Sequence, residues 1–580
     1  MAQLLKPPPP EESLASPPGV PTTAYRQRFG RSWTTILRDP LALAALLLIS
    51  LFLALFIIFP LLKVLLNSIF DEQGNVDLSE YQRVTTSPLQ QKVIWDTLIM
   101  GGVVSVLSTA LGFLFAYTMT RCKIPGKKLL HFTALLPVIS PPFAVAMAAV
   151  LLFGRSGLIT NKILGLDVNI YGWPGLILVQ TITFYPVAYL LLIGLLQSLN
   201  PALEEASLNL GASKWRVFRT ITLPLLIPGL GASLLLIFVE TLADLANPLL
   251  IGGDINVLAT QTYLAIVGTA DFRGGAVYSV VLLVPSLTAF ILQRYWVNRR
   301  SYISVTGKPQ GGRLVITAPL LRWSLVGACF MVGGLVLLIY GTIIASAFTK
   351  LFGINYTPTL DNFGYLFDSP NYRDGMINTV WLAILATPVV ALLSTITAWL
   401  VVRRGFAGRS ALDFVSMLGA AVPGTIIGIG YILAFNNAPL ALTGTSMIII
   451  LVFVIRGLPS GLRGTVAALQ QIDPSIEEAS TSLGASTAYT FRRVTIPLVR
   501  PAVLAGLIYS FTRSMTSLSA IIFLVGPNTR LVTAQTYNLL ENGRFGAATA
   551  YVTLLILVVL AAMGILTWLV RGPVRPVDTL

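Results

Sequence analysis

Apolar residues in this chain gather into long unbroken runs, separated by short polar gaps. Twelve runs approach the 20 or so residues that a helix needs to cross a bilayer: 41–66, 97–119, 129–153, 175–196, 223–250, 276–297, 324–347, 377–401, 411–435, 446–468, 497–525 and 548–570. Every second gap is basic. Arg121, Lys123, Lys127 and Lys128 fill one, and Arg403, Arg404 and Arg409 fill its counterpart. Arg294, Arg299, Arg300, Lys308, Arg313 and Arg322 flank the middle of the chain, and Arg571 and Arg575 close it. The alternate gaps carry Asp71, Glu72, Asp77 and Glu80, or Asp361 and Asp368. Short basic loops face the cytoplasm, so both termini are expected there. The pattern predicts an all-α, multi-pass membrane protein.

The runs form two sets of six. Ala116–Leu130 aligns with Ala398–Leu412 at an offset of 282, and Pro141 with Pro423. Further on the offset is 273, carrying Glu204 onto Glu477 and Gly211 onto Gly484. A longer outward loop near 154–174 accounts for the difference. A fixed offset marks one structural unit used twice, and six spans per unit give both copies the same orientation. The expected layout is a polar, proline-rich disordered arm over 1–40, a first domain over 41–297, a linker over 298–323 and a second domain over 324–580.

The strongest repeat is a polar insert between two spans, with E-E-A-S-x-x-L-G-A-S at 204–213 and again at 477–486. Asn200-Pro201 and Asp473-Pro474 suit the start of a short helix, with a capping side chain and a proline in the first turn. The acidic pairs Glu204-Glu205 and Glu477-Glu478 would sit favourably near the positive end of the helix dipole. Gly211 and Gly484 would end the helix, since glycine takes the left-handed conformation at little cost. A second short helix carrying Lys214, Arg216 and Arg219, or Arg492 and Arg493, would return to the membrane. The result is a helix–turn–helix knob offered to a partner.

This pattern, followed by F-R-x-x-T-x-P-L, resembles the EAA loop of binding-protein-dependent ABC importer permeases, and two copies on one chain resemble the fused permeases of the iron(III) importers. The resemblance implies the type I, MetI-like architecture in two parallel six-helix halves, in a bacterial inner membrane. It makes Glu204, Glu205, Ala206, Gly211 and Ala212, with Glu477, Glu478, Ala479, Gly484 and Ala485, the coupling residues that dock on two ATP-binding subunits, expected as a homodimer. A periplasmic binding protein would deliver the substrate. ATP and magnesium would be held by the partner subunits, and no cofactor by this chain. Iron(III) is favoured by the two-domain layout and by SLSAIIFLVGP (517–527) and ENGRFGAA (541–548). Related permeases carry phosphorylated sugars, phosphonates, thiamine or polyamines, and these stand as alternatives.

Composition narrows the rest. The chain has 580 residues, 55% hydrophobic and only 11% charged, about half the charged share of a soluble domain. Its net charge of +15 sits beside the apolar runs, as topology requires, which argues against nucleic acid. Cys122 and Cys329 offer neither a disulfide framework nor a metal site, and the single histidine, His131, reads as an interfacial residue. There is no phosphate loop, as Gly307-Lys308 runs into Pro309, so no hydrolytic site is expected here. A rival class, the ion-coupled secondary transporter with two six-span halves, has no need of the duplicated insert. Its G-x-x-x-D-R-x-G-R-R pattern is also missing from the basic loops at 120–128 and 402–410.

Charged residues inside spans are costly and usually face a bundle interior or each other. Glu240 and Asp244 are four apart, which predicts one helical face, and the 273 offset carries Glu240 onto Arg513. A pseudo-twofold axis would let Glu240 and Arg513 meet, as an interface pair or along the substrate path. Arg456 is a third intramembrane charge, read as a packing or gate residue. No metal ligand set is legible. Pro141-Pro142, Pro186, Pro423 and Pro459 are expected to break or kink their spans.

Overall fold

Among the described residues, eleven helices are long and apolar enough to cross a membrane, and a twelfth passage consists of two helices bent by 106°. The computed structural model describes residues 37, 39–71, 73–167, 169–297 and 315–570. Most of the expected arm and linker therefore lies outside the described residues.

The first set comprises α1 (Pro40–Ile69), α2 (Pro88–Arg121), α3 (Lys127–Ile139), α4 (Phe143–Phe153), α5 (Trp173–Ser198), α6 (Pro201–Asn209), α7 (Lys214–Leu242) and α8 (Phe272–Tyr295). The second runs in the same order: α9 (Pro319–Ala347), α10 (Pro370–Arg403), α11 (Arg409–Ala421), α12 (Gly424–Phe435), α13 (Ser446–Gln471), α14 (Ser475–Ser482), α15 (Thr487–Thr516) and α16 (Phe545–Trp568). A small hairpin, β1 (Thr349–Leu351) with β2 (Asn355–Pro358), follows α9.

Two expected spans are not straight helices. The run 129–153 is divided into α3 and α4, with α4 leading into a π segment so that Phe143–Ile163 forms a span by itself, and 411–435 is divided into α11 and α12. The cause is local: the residue before a proline is pushed to extended backbone. Ser140, before Pro141-Pro142, has ψ 158, and Val422, before Pro423, has ψ 126. Pro186 and Pro459 instead stay inside α5 and α13.

The fifth and eleventh spans are shifted from their expected limits of 223–250 and 497–525. α7 and α15 start inside the inserts, pass through π turns at Phe218–Thr222 and Phe491–Thr495, and stop at Leu242 and Thr516. Pro224 and Pro497 follow each π turn and lack the N–H that an α-helical ladder requires there.

Each half builds its core from α2, α5 and α7, or α10, α13 and α15. At Gly112 in α2, an added Cβ would lie 2.5 Å from Ala188 Cβ, so only glycine lets α2 and α5 approach this closely. The first helix of each half also reaches across. α1 packs on α8 of its own half and on α10, α11 and α12 of the other. α9 packs on α16 and on α2, α3 and α4. Tyr431 donates to the Phe56 carbonyl on one side of this exchange, and Ser140 bonds Tyr340 on the other.

Candidate functional site: paired inserts and a central cavity

Both inserts fold as their capping residues dictate. Asn200 accepts from Ala202 N–H at 3.0 Å, and Asp473 accepts from Ser475 N–H at 2.9 Å, opening α6 and α14. Gly211 and Gly484 turn the chain with φ of +83° and +85°. Ser213 and Ser486 then cap the helices that lead back, accepting from Arg216 and Tyr489 N–H groups.

The acidic pairs are split in use. Glu204 is buried, and both its oxygens take the Arg121 guanidinium, at 2.8 and 2.7 Å. Thr222, at the end of the π turn, donates to the same carboxylate at 2.6 Å. Glu477 repeats the arrangement more loosely, with Arg403 at 3.2 Å and Thr495 at 2.9 Å. The first glutamate of each pair therefore fastens the insert to the end of α2 or α10. The outer surface is left to Ala206, Glu478 and Ala479 and to Leu210 and Leu483, each of which is 89% exposed. Trp215 and Tyr489 extend this apolar surface. Such a patch at one end of a polytopic protein is suited to a protein partner.

Between the halves lies a cavity of about 580 Å³ lined by α5, α7, α13 and α15, with α8 and α11. Glu240 of α7 and Arg513 of α15 meet there, with one guanidinium nitrogen 3.0 and 2.9 Å from the two carboxylate oxygens. Their side chains are 24% and 33% exposed, and that exposure is to the cavity. Arg456 is held by the carbonyls of Gly419 and Val422, at 3.5 and 3.2 Å, where α11 breaks from α12. Asp244 does not share a helical face with Glu240, because α7 has already ended. Its carboxylate instead takes Gln180 Nε2 at 2.8 Å and Asn247 Nδ2 at 2.7 Å, and the Asn247 backbone N–H begins a separate short helix.

Residues 108–302, and again residues 391–574, match the family described as the inner membrane component of binding-protein-dependent transport systems. The chain belongs to that family, with two copies of its domain. The ferric transport system permease protein FbpB of Actinobacillus pleuropneumoniae is 38% identical over 545 residues, 92% of this chain and 79% of that protein. The putative ferric transport system permease protein FbpB 1 of Haemophilus influenzae is also 38% identical, over 85% of this chain and 79% of its own. The molybdenum transport system permease protein ModB of Escherichia coli is 27% identical over 225 residues, 38% of this chain but 97% of that protein. One half of this permease thus corresponds to a whole protein of the single-domain kind.

In this permease the side chains that anchor the inserts, Arg121, Arg403, Thr222 and Thr495, escaped the sequence reading. A signal was available: the arginines are separated by 282 and the threonines by 273, the same offsets as the repeat. Among the described residues no three His, Cys, Asp or Glu side chains gather as a metal site, and Cys122 and Cys329 are free and buried.

Proposed function

We propose that the permease is the membrane-spanning subunit of an ATP-driven importer of iron(III), supplied by a periplasmic binding protein and driven by two ATP-hydrolysing subunits. The observation that carries this reading is the duplicated insert, which presents Glu478, Ala206, Ala479 and the exposed Leu210 and Leu483 as two like docking knobs. Like knobs suit two like subunits, which would hold the ATP and magnesium. Domains 41–297 and 324–580, joined by 298–323, would rock against each other, with the inserts and both termini in the cytoplasm. The basic gaps on the insert side support that orientation. Iron(III) as cargo rests on the 38% identity to two ferric transport permeases.

One observation favours a second reading, an anionic cargo such as a phosphorylated sugar or phosphonate. Arg294, Arg456, Arg463 and Arg513 line the cavity; Arg513 pairs with Glu240, and Arg294 and Arg463 face Asp413, whereas Arg456 is hydrogen-bonded to backbone carbonyls. A guanidinium without a carboxylate repels a cation and is well shaped for a phosphate fork.

The deciding experiment is uptake into proteoliposomes containing the chain, its ATPase and its binding protein, with radioactive iron(III) in one arm and a labelled sugar phosphate in the other. Iron uptake supports the first reading, and sugar phosphate uptake alone replaces it with the second. The chain by itself should hydrolyse no ATP, and the complex should hold two ATPase subunits per chain.

A further inference from the structure

Each insert is fastened not only to its own half but also to the entry of the first helix of the other half. Asp39 immediately precedes α1. One carboxylate oxygen caps that helix by accepting from Ala42 N–H at 3.2 Å. The other accepts from Arg404, at the end of α10, at 2.8 Å, and from Thr487, at the start of α15, at 2.9 Å. The residue that opens α1 is thus bonded to the end of α10 and to the start of α15, just past the second insert.

The reciprocal contact exists. Lys214 opens α7, and Thr487 follows it by 273 positions, the offset of the repeat. Its ammonium donates to Thr317 Oγ at 2.6 Å, two residues before α9 begins. Next to it, Ile316 N–H donates to the Arg121 carbonyl at 2.9 Å, at the end of α2. In both halves the entry of the opposite half's first helix joins the end of α2 or α10 and the start of α7 or α15. The chemistry differs, an ion pair on one side and an ammonium on a neutral hydroxyl on the other, while the position is the same. Chance surface contacts have no reason to follow a pseudo-twofold axis.

We propose that Asp39 and Thr317 are positioning residues that pass the displacement of each insert to the opposite half. A push on the second insert moves Thr487 and Arg404, hence Asp39 and α1, and α1 packs on α8 of the first half. A push on the first insert travels the same way through Lys214 and Thr317 into α9 and on to α16. Neither half can then follow its ATPase alone. Coupling of this kind requires a connected element that both sites bias, which the crossed helices provide. Persistence of the contacts through the cycle is part of the proposal.

The inference rests on the docking role given to the inserts above. Its test uses the full complex in proteoliposomes and reads ATP hydrolysed per substrate imported. Asp39→Ala should raise that ratio severalfold, while the assembled complex forms in normal amounts. Arg404→Asp should do the same, and the charge exchange Asp39→Arg with Arg404→Asp should restore much of the coupling. A merely structural contact would change the yield of complex and leave the ratio alone. As a second measurement, Asp39→Cys with Thr487→Cys is bridged by a short thiol reagent, with Cys122 and Cys329 replaced by serine. The bridge should form in membranes, and the bridged protein should still import. An unchanged ratio in Asp39→Ala, failure to bridge, or bridged protein that hydrolyses ATP without importing would each overturn the proposal. If no ATPase binds the chain at all, the docking role itself fails, whereas bridging still reports on the contact.

Discussion

Arg121 closes on Glu204 as a two-pronged fork, at 2.8 and 2.7 Å, with side chains only 6% and 4% exposed. The pair ties the last residue of α2 to the first turn of α6. Removing one partner of a buried pair leaves an uncompensated charge, typically costing about 3–5 kcal/mol. Glu204→Gln should therefore lower the apparent Tm of the purified chain sharply. Glu477→Gln should lower it less, since Glu477 is 17% exposed and its arginine contact is 3.2 Å. Equal shifts in the two variants would contradict the asymmetry between the anchors.

The Glu240–Arg513 pair faces a cavity, with side chains 24% and 33% exposed, so its loss should be milder than that of the Arg121–Glu204 anchor. Glu240→Gln and Arg513→Gln should each reduce the amount of monodisperse protein, and the double variant should recover most of it. Import by the recovered double variant separates a purely structural pair, which leaves import intact, from a pair that contacts the cargo, which does not. Additive losses of folded protein would argue against the pairing.

At Gly211 and Gly484 an added Cβ meets nothing within 4 Å, so the whole cost of substitution is the positive φ. Alanine at either site should cost about 1–2 kcal/mol locally, and Asn less, as it tolerates the left-handed region. Gly211→Pro should abolish import with protein still in the membrane, because proline fixes φ near −65° and the turn cannot form. Import by Gly211→Pro at the normal rate would sink the requirement for this turn.

Acid sensitivity should arise outside the spans. The hydrogen bond from Arg273, followed by that from the Ser79 backbone, holds the Asp77 carboxyl well below the ordinary carboxylate range. A pKa depressed on folding contributes stability above the unfolded value, about 3.9, and loses it as pH falls further towards the folded one. Thermal stability should therefore be flat on this account from neutrality to about pH 4 and decline below it. Asp77→Asn should flatten part of that decline, which a series of melting curves against pH can test.

The runs of apolar residues reveal how many passages the chain makes, because spanning length depends only on composition. They do not reveal direction within the bilayer. α11–α12 is as apolar as a straight span, and only Pro423 hints at its break, as Pro141 does for the one between α3 and α4. The limit of α7 at Leu242 depends on the Asp244 carboxylate choosing Asn247 N–H and Gln180, a decision made by tertiary neighbours 64 positions away in the Gln180 case. The inserts were legible because local capping sets them. The inward turn of Glu204 was not, since its partner Arg121 lies 83 positions earlier. The repeat offset did link Glu240 to Arg513, as equivalent positions beside a twofold axis are neighbours by symmetry.

That same equivalence has an evolutionary side. Glu240 and Arg513 stand at one position of the repeat, 273 residues apart, and face each other across the axis between halves. Two identical subunits would put glutamate against glutamate there, or arginine against arginine, and either would repel. An attractive pair at that place is open only to halves that have diverged, and a fused gene keeps the two unlike halves together in a ratio of one to one. The ion pair is thus a record of broken symmetry, one that no homodimeric ancestor could have carried.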